Sequence, residues 1–247
     1  FTFSELFHKR FSNNSIKPNS FYDIGYPFDS SFSLVKKRAE KLRKQLVNNG
    51  SQFTISYFDE SVQDDKDKYG MVSSNNNYKE VLELAKLVLK EKTISVIIKT
   101  QFQKNSPSVL YNKDTIIEAA LATGRFIELL NGKHRNSVFP AEASLASDLV
   151  ISHAIGGTAG LEVALAGGRS ILLNPYSIQG ANIELFKQAD ILYDNINIAL
   201  NVISLFRQGN PENKNLGDWS PIISKFDSYR DGKSATRLRK AIEKVLL

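Results

Sequence analysis

The sequence predicts an α/β fold, a doubly wound parallel sheet with an N-terminal arm and a C-terminal helix. Two observations predict it. From residue 53 onward, short apolar runs alternate with helix-length amphipathic segments. Continuous apolar strands of that length belong in parallel sheets covered on both faces. No internal repeat interrupts the alternation, so the 247 residues are expected to form one large domain with extensions.

The elements follow in order. Residues 1–32 are rich in Phe and Tyr and broken by Asn, Ser and Pro, which reads as an extended arm or interdomain linker; the domain proper spans residues 33–247. A helix is expected at 33–47, stopped by Asn48–Asn49–Gly50. Strand 53–58 (FTISYF) leads through a polar loop to a helix at 78–90. Strand 93–99 (TISVIIK) is followed by a loop with Pro107 and a helix at 113–123. Residues 125–130 and 136–139 offer a third strand or two short ones, and 141–146 a short helix. Strand 149–152 (LVIS), helix 158–166, strand 170–174 (SILLN), helix 182–188, an edge strand at 191–193 and helix 195–207 come next. A polar stretch at 208–217 precedes a last helix at 233–247.

Composition narrows the chemistry. An apolar content of 42% with 23% charged residues is that of a soluble globular chain. No apolar run approaches the roughly 18 residues of a membrane span. The first residues carry Glu5, His8, Lys9 and Arg10, unlike a secretory leader. Without an initiator Met, the chain is expected to be a fragment or a processed product. The absence of cysteine excludes disulfides, thiolate catalysis and cysteine-ligated metals. His8, His134 and His153 have no metal-ligand spacing, so neither a metal nor another cofactor is expected. The net charge of +6 suits an anionic ligand or an anionic surface. The basic run at 36–44 is a solvated helix face or a contact for lipid head groups. No nucleic-acid partner is expected, and the expected location is cytoplasmic, peripheral to the inner membrane at most.

In a sheet of this kind, ligands sit at the carboxyl ends of the strands. The strongest constellation there is SHAIGGTAGLEVALAGG, residues 152–168. A buried strand ends at Ser152, Gly156 and Gly157 permit a tight turn, and Thr158 is expected to cap a helix carrying Glu162 one turn in. Unblocked N–H groups and the positive end of the helix dipole make an anion site suited to phosphate. Glycines let a diphosphate approach the backbone, and Thr158 can donate its hydroxyl. Glu162 is placed to accept from ribose hydroxyls; the alternative is a plain strand–helix joint with Glu162 merely exposed. His153, at the mouth of the same strand, is a candidate for phosphate contact or proton transfer.

Lys99 and Gln101 end the second strand on the same rim, where a lysine can neutralise a leaving diphosphate. Asp59 and Glu60 close the first strand and border the cleft. Asp65–Lys66–Asp67 matches a DxD triplet formally, but a solvated loop is the expected reading. Phe139–Pro140 is placed to approach a nucleobase, and Tyr176, after SILLN, to touch a sugar.

The order ASDLVISHAIGGTAGLEVALAGGRSILLNP resembles the C-terminal half of GT-B glycosyltransferases, in which a strand, a glycine turn, a Glu-bearing helix and another strand follow one another. The resemblance covers roughly residues 53–206, with residues 147–175 the specific part. Ile24–Gly25–Tyr26–Pro27 resembles the segment where such chains cross between domains. YRDGKSATRLRKAIEKVL resembles the terminal helix of bacterial surface-polysaccharide transferases. The resemblance implies a Rossmann-like domain binding a nucleotide-activated sugar donor, with Gly157 and Thr158 at the diphosphate and Glu162 at the ribose. It also implies a glycan or lipid-linked acceptor held by an N-terminal domain outside this chain. Eight residues beyond Glu162 stands Ser170, where the retaining subfamily has a second Glu. An epimerase of the same fold, a transferase using a CDP-activated polyol phosphate and a non-catalytic binding module stay open beside it.

Overall fold

The computed structural model describes residues 1–4, 6–7, 20–59, 73–130, 138–155 and 157–246. The alternation of apolar runs becomes six parallel strands: β1 (Phe53–Phe58), β2 (Ile94–Lys99), β3 (Phe126–Glu128), β4 (Leu149–His153), β5 (Ser170–Leu173) and β6 (Leu192–Tyr193). Their spatial order is β3-β2-β1-β4-β5-β6. β1 pairs with β2 from Phe53↔Ile94 to Phe58↔Lys99, and with β4 from Ile55↔Leu149 to Tyr57↔Ile151. The chain therefore winds outward through β2 and β3, then returns to the other side of β1. Where the winding direction reverses, the two connections leave in opposite directions and open a crevice at the strands' carboxyl ends.

Two helical layers cover the sheet. On one face Ile55, Tyr57, Val96, Ile98, Ile151 and Leu173 pack against α2 (Ser74–Lys90), α4 (Thr115–Ala122) and α8 (Ile196–Arg207). On the other, Phe58, Ile97 and Val150 meet α1 (Phe32–Asn48), α5 (Pro140–Leu145) and α6 (Thr158–Leu165). Leu172 joins a further cluster with Ile183 and Phe186 of α7 (Ala181–Gln188), Trp219, and Phe226 of α9 (Ile223–Phe226). Each fully buried aliphatic side chain stabilises the fold by about 1.5–3 kcal/mol before entropy is counted.

Helix boundaries follow local chemistry. Ser73 accepts from the Asn76 N–H, so α2 starts before the expected residue 78 and draws the Asn-rich string into its first turn. Asp114 accepts from the N–H groups of Ile116 and Ile117 at the start of α4, and Asn195 caps α8. The expected loop around Pro107 contains a short helix, α3 (Pro107–Leu110), because proline at the first helical position has φ preset and needs no donor. The strand expected at 136–139 falls partly outside the described residues; Phe139 is extended and leads into α5.

The described parts of the N-terminal arm are fastened to the C-terminal segment. Thr2 bridges Asp23, and the Ser4 hydroxyl donates to the Lys225 carbonyl at 2.6 Å. Asp227 accepts from the Tyr26 N–H at 2.9 Å. Asp29 accepts from the N–H and hydroxyl of Ser234, the first residue of α10 (Ser234–Leu246). Phe3 and Phe32 pack on the Tyr26 ring. These contacts carry Phe3, Tyr26 and Phe28 to the rim of the sheet.

Of the basic run on α1, Lys36, Lys37, Lys41 and Lys44 face solvent. Arg43 holds Asp148 through two 2.8 Å hydrogen bonds, and Arg38 lies 2.8 Å from Glu142. Among the described residues no helix is long and apolar enough to cross a membrane.

Candidate functional site

A cleft of about 690 Å³ opens at the carboxyl ends of β1 and β2, against the starts of α5 and α6. Asp59, Lys99 and Gln101 line it from the strand ends. Phe139, Pro140 and Thr158 come from the helix starts, and Glu162 lies at the back. Seven of the residues singled out in the sequence thus share one cavity.

Alternation along a strand explains which candidates lie elsewhere. Ser152 is buried beneath α6, while His153, the next residue, points to the opposite face. The His153 side chain is 1% exposed, its Nε2 lies 2.8 Å from Glu80 Oε2, and its ring stands edge-on to Tyr57. The structure does not bring Ser152 or His153 to the cleft. Tyr176 is also elsewhere: its hydroxyl accepts from the Ser73 N–H at 2.8 Å and from the Asn76 amide at 2.9 Å, beside α2. Glu60, Gly156 and the Asp65–Lys66–Asp67 triplet lie outside the described residues. Among the described residues no group of three or more His, Asp or Glu is arranged to hold a metal ion.

The turn before α6 differs in one respect from expectation. Gly157, at φ +62°, is the capping residue, and Thr158 is the first residue of the helix. No side chain caps the helix, so its first N–H groups are not taken by a local acceptor. Thr158 and Ala159 form part of the cleft wall, which puts this positive helix end at the cavity.

Gly160 is a residue the sequence reading passed over. A Cβ built on it would meet Leu172 Cδ2 at 2.7 Å and Ser152 Oγ at 2.9 Å, so only glycine lets α6 lie this close to β4 and β5. The third glycine of dinucleotide-binding turns has the same packing role. Its place one turn into the helix was the available signal.

Glu162 is buried, at 7% exposure, rather than solvent-facing. Its Oε1 accepts from the Ala141 N–H at 3.0 Å and its Oε2 from the Tyr26 hydroxyl at 2.8 Å. A carboxylate has about four acceptor directions, so two fixed donors orient it and leave capacity for a ligand. Burial raises its pKa above the ordinary 4.5; the Ala141 N–H, the Tyr26 hydroxyl and the Lys99 charge pull the other way. Burial and the neighbouring Glu162 raise the Tyr26 phenol well above its usual range. Lys99 is half-buried, its Nζ 5.9 Å from the centre of the Phe58 ring. Asp59 is tied into the backbone, Oδ1 accepting from the Gln101 N–H at 2.8 Å. Tyr26, Phe3 and Phe28 were not foreseen as site residues, although the Gly25–Tyr26–Pro27 string was visible.

The raised pKa of Glu162 has a measurable sign. The folded chain holds this proton at pH values where the unfolded chain has lost it, so stability falls as pH rises from 4.5 through the folded-state pKa. Glu162→Gln keeps an acceptor for Ala141 but cannot ionise. Thermal unfolding between pH 4.5 and neutrality should therefore show a smaller fall for the variant than for the parent. Equal slopes would contradict the buried-carboxylate assignment.

Six parallel strands in the order 3-2-1-4-5-6, with a cleft at the point of reversal, define a doubly wound, Rossmann-like α/β domain. No protein-family model and no curated protein matches the chain. Among solved structures it is similar to the wall teichoic acid polymerase TagF, with a TM-score of 0.48 and 13% sequence identity. The match covers 90% of this chain and 51% of the polymerase chain, so the chain spans about half the length of that protein.

Proposed function

We propose that the cleft binds a nucleotide-activated sugar and that the domain supplies the donor site of a glycosyltransferase for surface-polysaccharide assembly. The observation that carries this reading is the meeting of three groups in one cavity: the uncapped start of α6, Lys99, and the buried, oriented carboxylate of Glu162. A nucleoside diphosphate needs a site for a dianionic diphosphate beside an acceptor for ribose hydroxyls. Helix N–H groups and a lysine suit the first, and a carboxylate suits the second. The aromatic rings of Phe139 and Phe28 offer apolar faces for a base.

In transfer, the bond between the anomeric carbon and the diphosphate oxygen breaks, and negative charge grows on the leaving diphosphate. The α6 N–H groups and the Lys99 ammonium stabilise that charge in place. His153 has no part in this step, since its ring lies behind Tyr57 on the far face. The acceptor and the base that deprotonates it belong to a further domain.

Calorimetric titration with UDP-, GDP-, CMP- and CDP-linked donors tests the reading. One of the three diphosphate-linked donors should bind saturably and more tightly than the CMP-linked one, which carries a single phosphate, and EDTA should change its affinity by less than about threefold. Lys99→Ala should weaken binding by about 1–3 kcal/mol, on the order of tenfold to a hundredfold. Failure of all four donors to bind would overturn the proposal. A loss of more than about tenfold in EDTA would move the diphosphate site to a metal held elsewhere, the Asp59–Asp67 segment being the first place to look.

A further inference from the structure

On the face of the sheet away from the cleft, a buried polar chain ends at a second cavity. The Tyr111 hydroxyl donates to Asn77 Oδ1 at 2.6 Å, the Asn77 amide donates to the Tyr57 hydroxyl at 3.3 Å, and that hydroxyl donates to Glu80 Oε2 at 2.5 Å. His153 Nε2 meets the same oxygen at 2.8 Å. Glu80 is 4% exposed. Both contacts fall on Oε2, and Oε1 takes no hydrogen bond from any described group.

Glu80 forms part of the wall of a cavity of about 250 Å³ between the first turns of α2, Pro175 beyond the end of β5, and the start of α8. Asn76, Asn195, Asn197, Lys79 and Glu83 complete its polar lining. Part of this lining is already committed: the Asn76 amide donates to Tyr176, Asn195 Oδ1 accepts from Ile198, and Glu83 pairs with Lys86. What faces a ligand is therefore a mixture of acceptors and donors, among them a carboxylate oxygen of Glu80 with acceptor capacity left for a ligand donor.

We propose that this cavity is a second binding site, for a small hydroxyl-rich ligand of monosaccharide or short-polyol size, with one ligand hydroxyl donating to Glu80 Oε1. A hydroxyl suits the lining because it both donates, as Glu80 requires, and accepts, as the Asn and Lys donors require. Two carboxylates disfavour an anion here, and the described residues gather no cluster of three or more metal-ligating side chains. The hydrogen bonds from Tyr57 and His153 fix the carboxylate plane, so Oε1 is presented in one orientation.

The site is independent of the nucleotide cleft, and the test keeps the two apart. The ¹⁵N-labelled chain is titrated separately with glycerol, glucose and N-acetylglucosamine, and the amides of residues 76–83 and 195–198 are followed by NMR. At least one probe should shift these amides saturably; glycerol alone marks a short-polyol site, and either sugar marks a ring site. Asn197→Ala, an exposed change, should weaken that binding at least about fivefold while nucleotide affinity stays the same, and Glu80→Gln should weaken it further. Absence of saturable shifts with all three probes overturns the proposal. So does saturable binding that Asn197→Ala and Glu80→Gln both leave unchanged, or shifts confined to the cleft.

Discussion

Gly157→Val should remove nucleotide binding from the cleft, lowering affinity at least about a hundredfold, while the far-UV spectrum stays that of the parent. The cause is backbone geometry rather than a clash. A Cβ at this position would find Ala154 O at 3.6 Å and the Phe186 ring at 3.8 Å, both ordinary contacts. The φ of +62°, however, is one that a β-branched residue avoids at a cost of about 1–2 kcal/mol. The turn relieves that strain by rotating, which swings the first N–H groups of α6 away from the cavity where Thr158 and Ala159 now stand. The hydrogen bonds to a diphosphate depend on those directions, whereas the rest of α6 is held by packing. Calorimetric titration beside thermal melts separates the two effects. Affinity within about threefold of the parent would show that the start of α6 is not the diphosphate site.

Gly160→Val should instead strike stability. Leu172 Cδ2 and Ser152 Oγ already stand within 2.9 Å of where its Cβ would be, and both belong to strands at the centre of the sheet. Inserting three carbons there pushes α6 off β4 and β5. Overpacking of a tight core costs typically about 1–3 kcal/mol and occasionally more. For a chain of this size that lowers the unfolding midpoint by roughly 3–10 °C. Gly160→Ala should fall between, because alanine's helix propensity offsets the clash by about 1 kcal/mol. A valine variant melting within about 2 °C of the parent would mean that α6 and the sheet are less closely packed than described. Because α6 also carries Glu162, nucleotide affinity should fall in step with stability in this variant, whereas in Gly157→Val affinity should fall out of proportion to the backbone strain felt by the fold.

The cleft itself was largely legible from the chain. Parallel strands deliver all their carboxyl ends to one rim, so residues that follow apolar runs meet there whatever the strand order. Asp59, Lys99, Gln101, Thr158 and Glu162 needed no further information. The cap of α6 was less legible, since Gly157 and Thr158 are adjacent and both are acceptable there. Only the positive φ shows that the glycine holds the position. The start of α2 at Ser74 was hidden for a similar reason: SSNNN is loop-like in composition until one serine turns to cap the rest.

By itself the sequence determined the class of fold, the alternation of elements, and the glycine turn with its acid one turn into the helix. These are set by local periodicity and by the few residues that tolerate a tight turn. Tertiary structure decided the strand order, the partners of Glu162 and the side on which each strand-end residue falls. A strand buried on both faces shows no alternation of apolar and polar residues, so nothing in LVISH tells that Ser152 faces α6 and His153 faces Glu80. Tyr26 reaches Glu162 across 136 residues of sequence, held by Asp227 and by aromatic neighbours. Contacts of that range leave no periodic trace in a chain and exist only once the sheet has brought its two ends together.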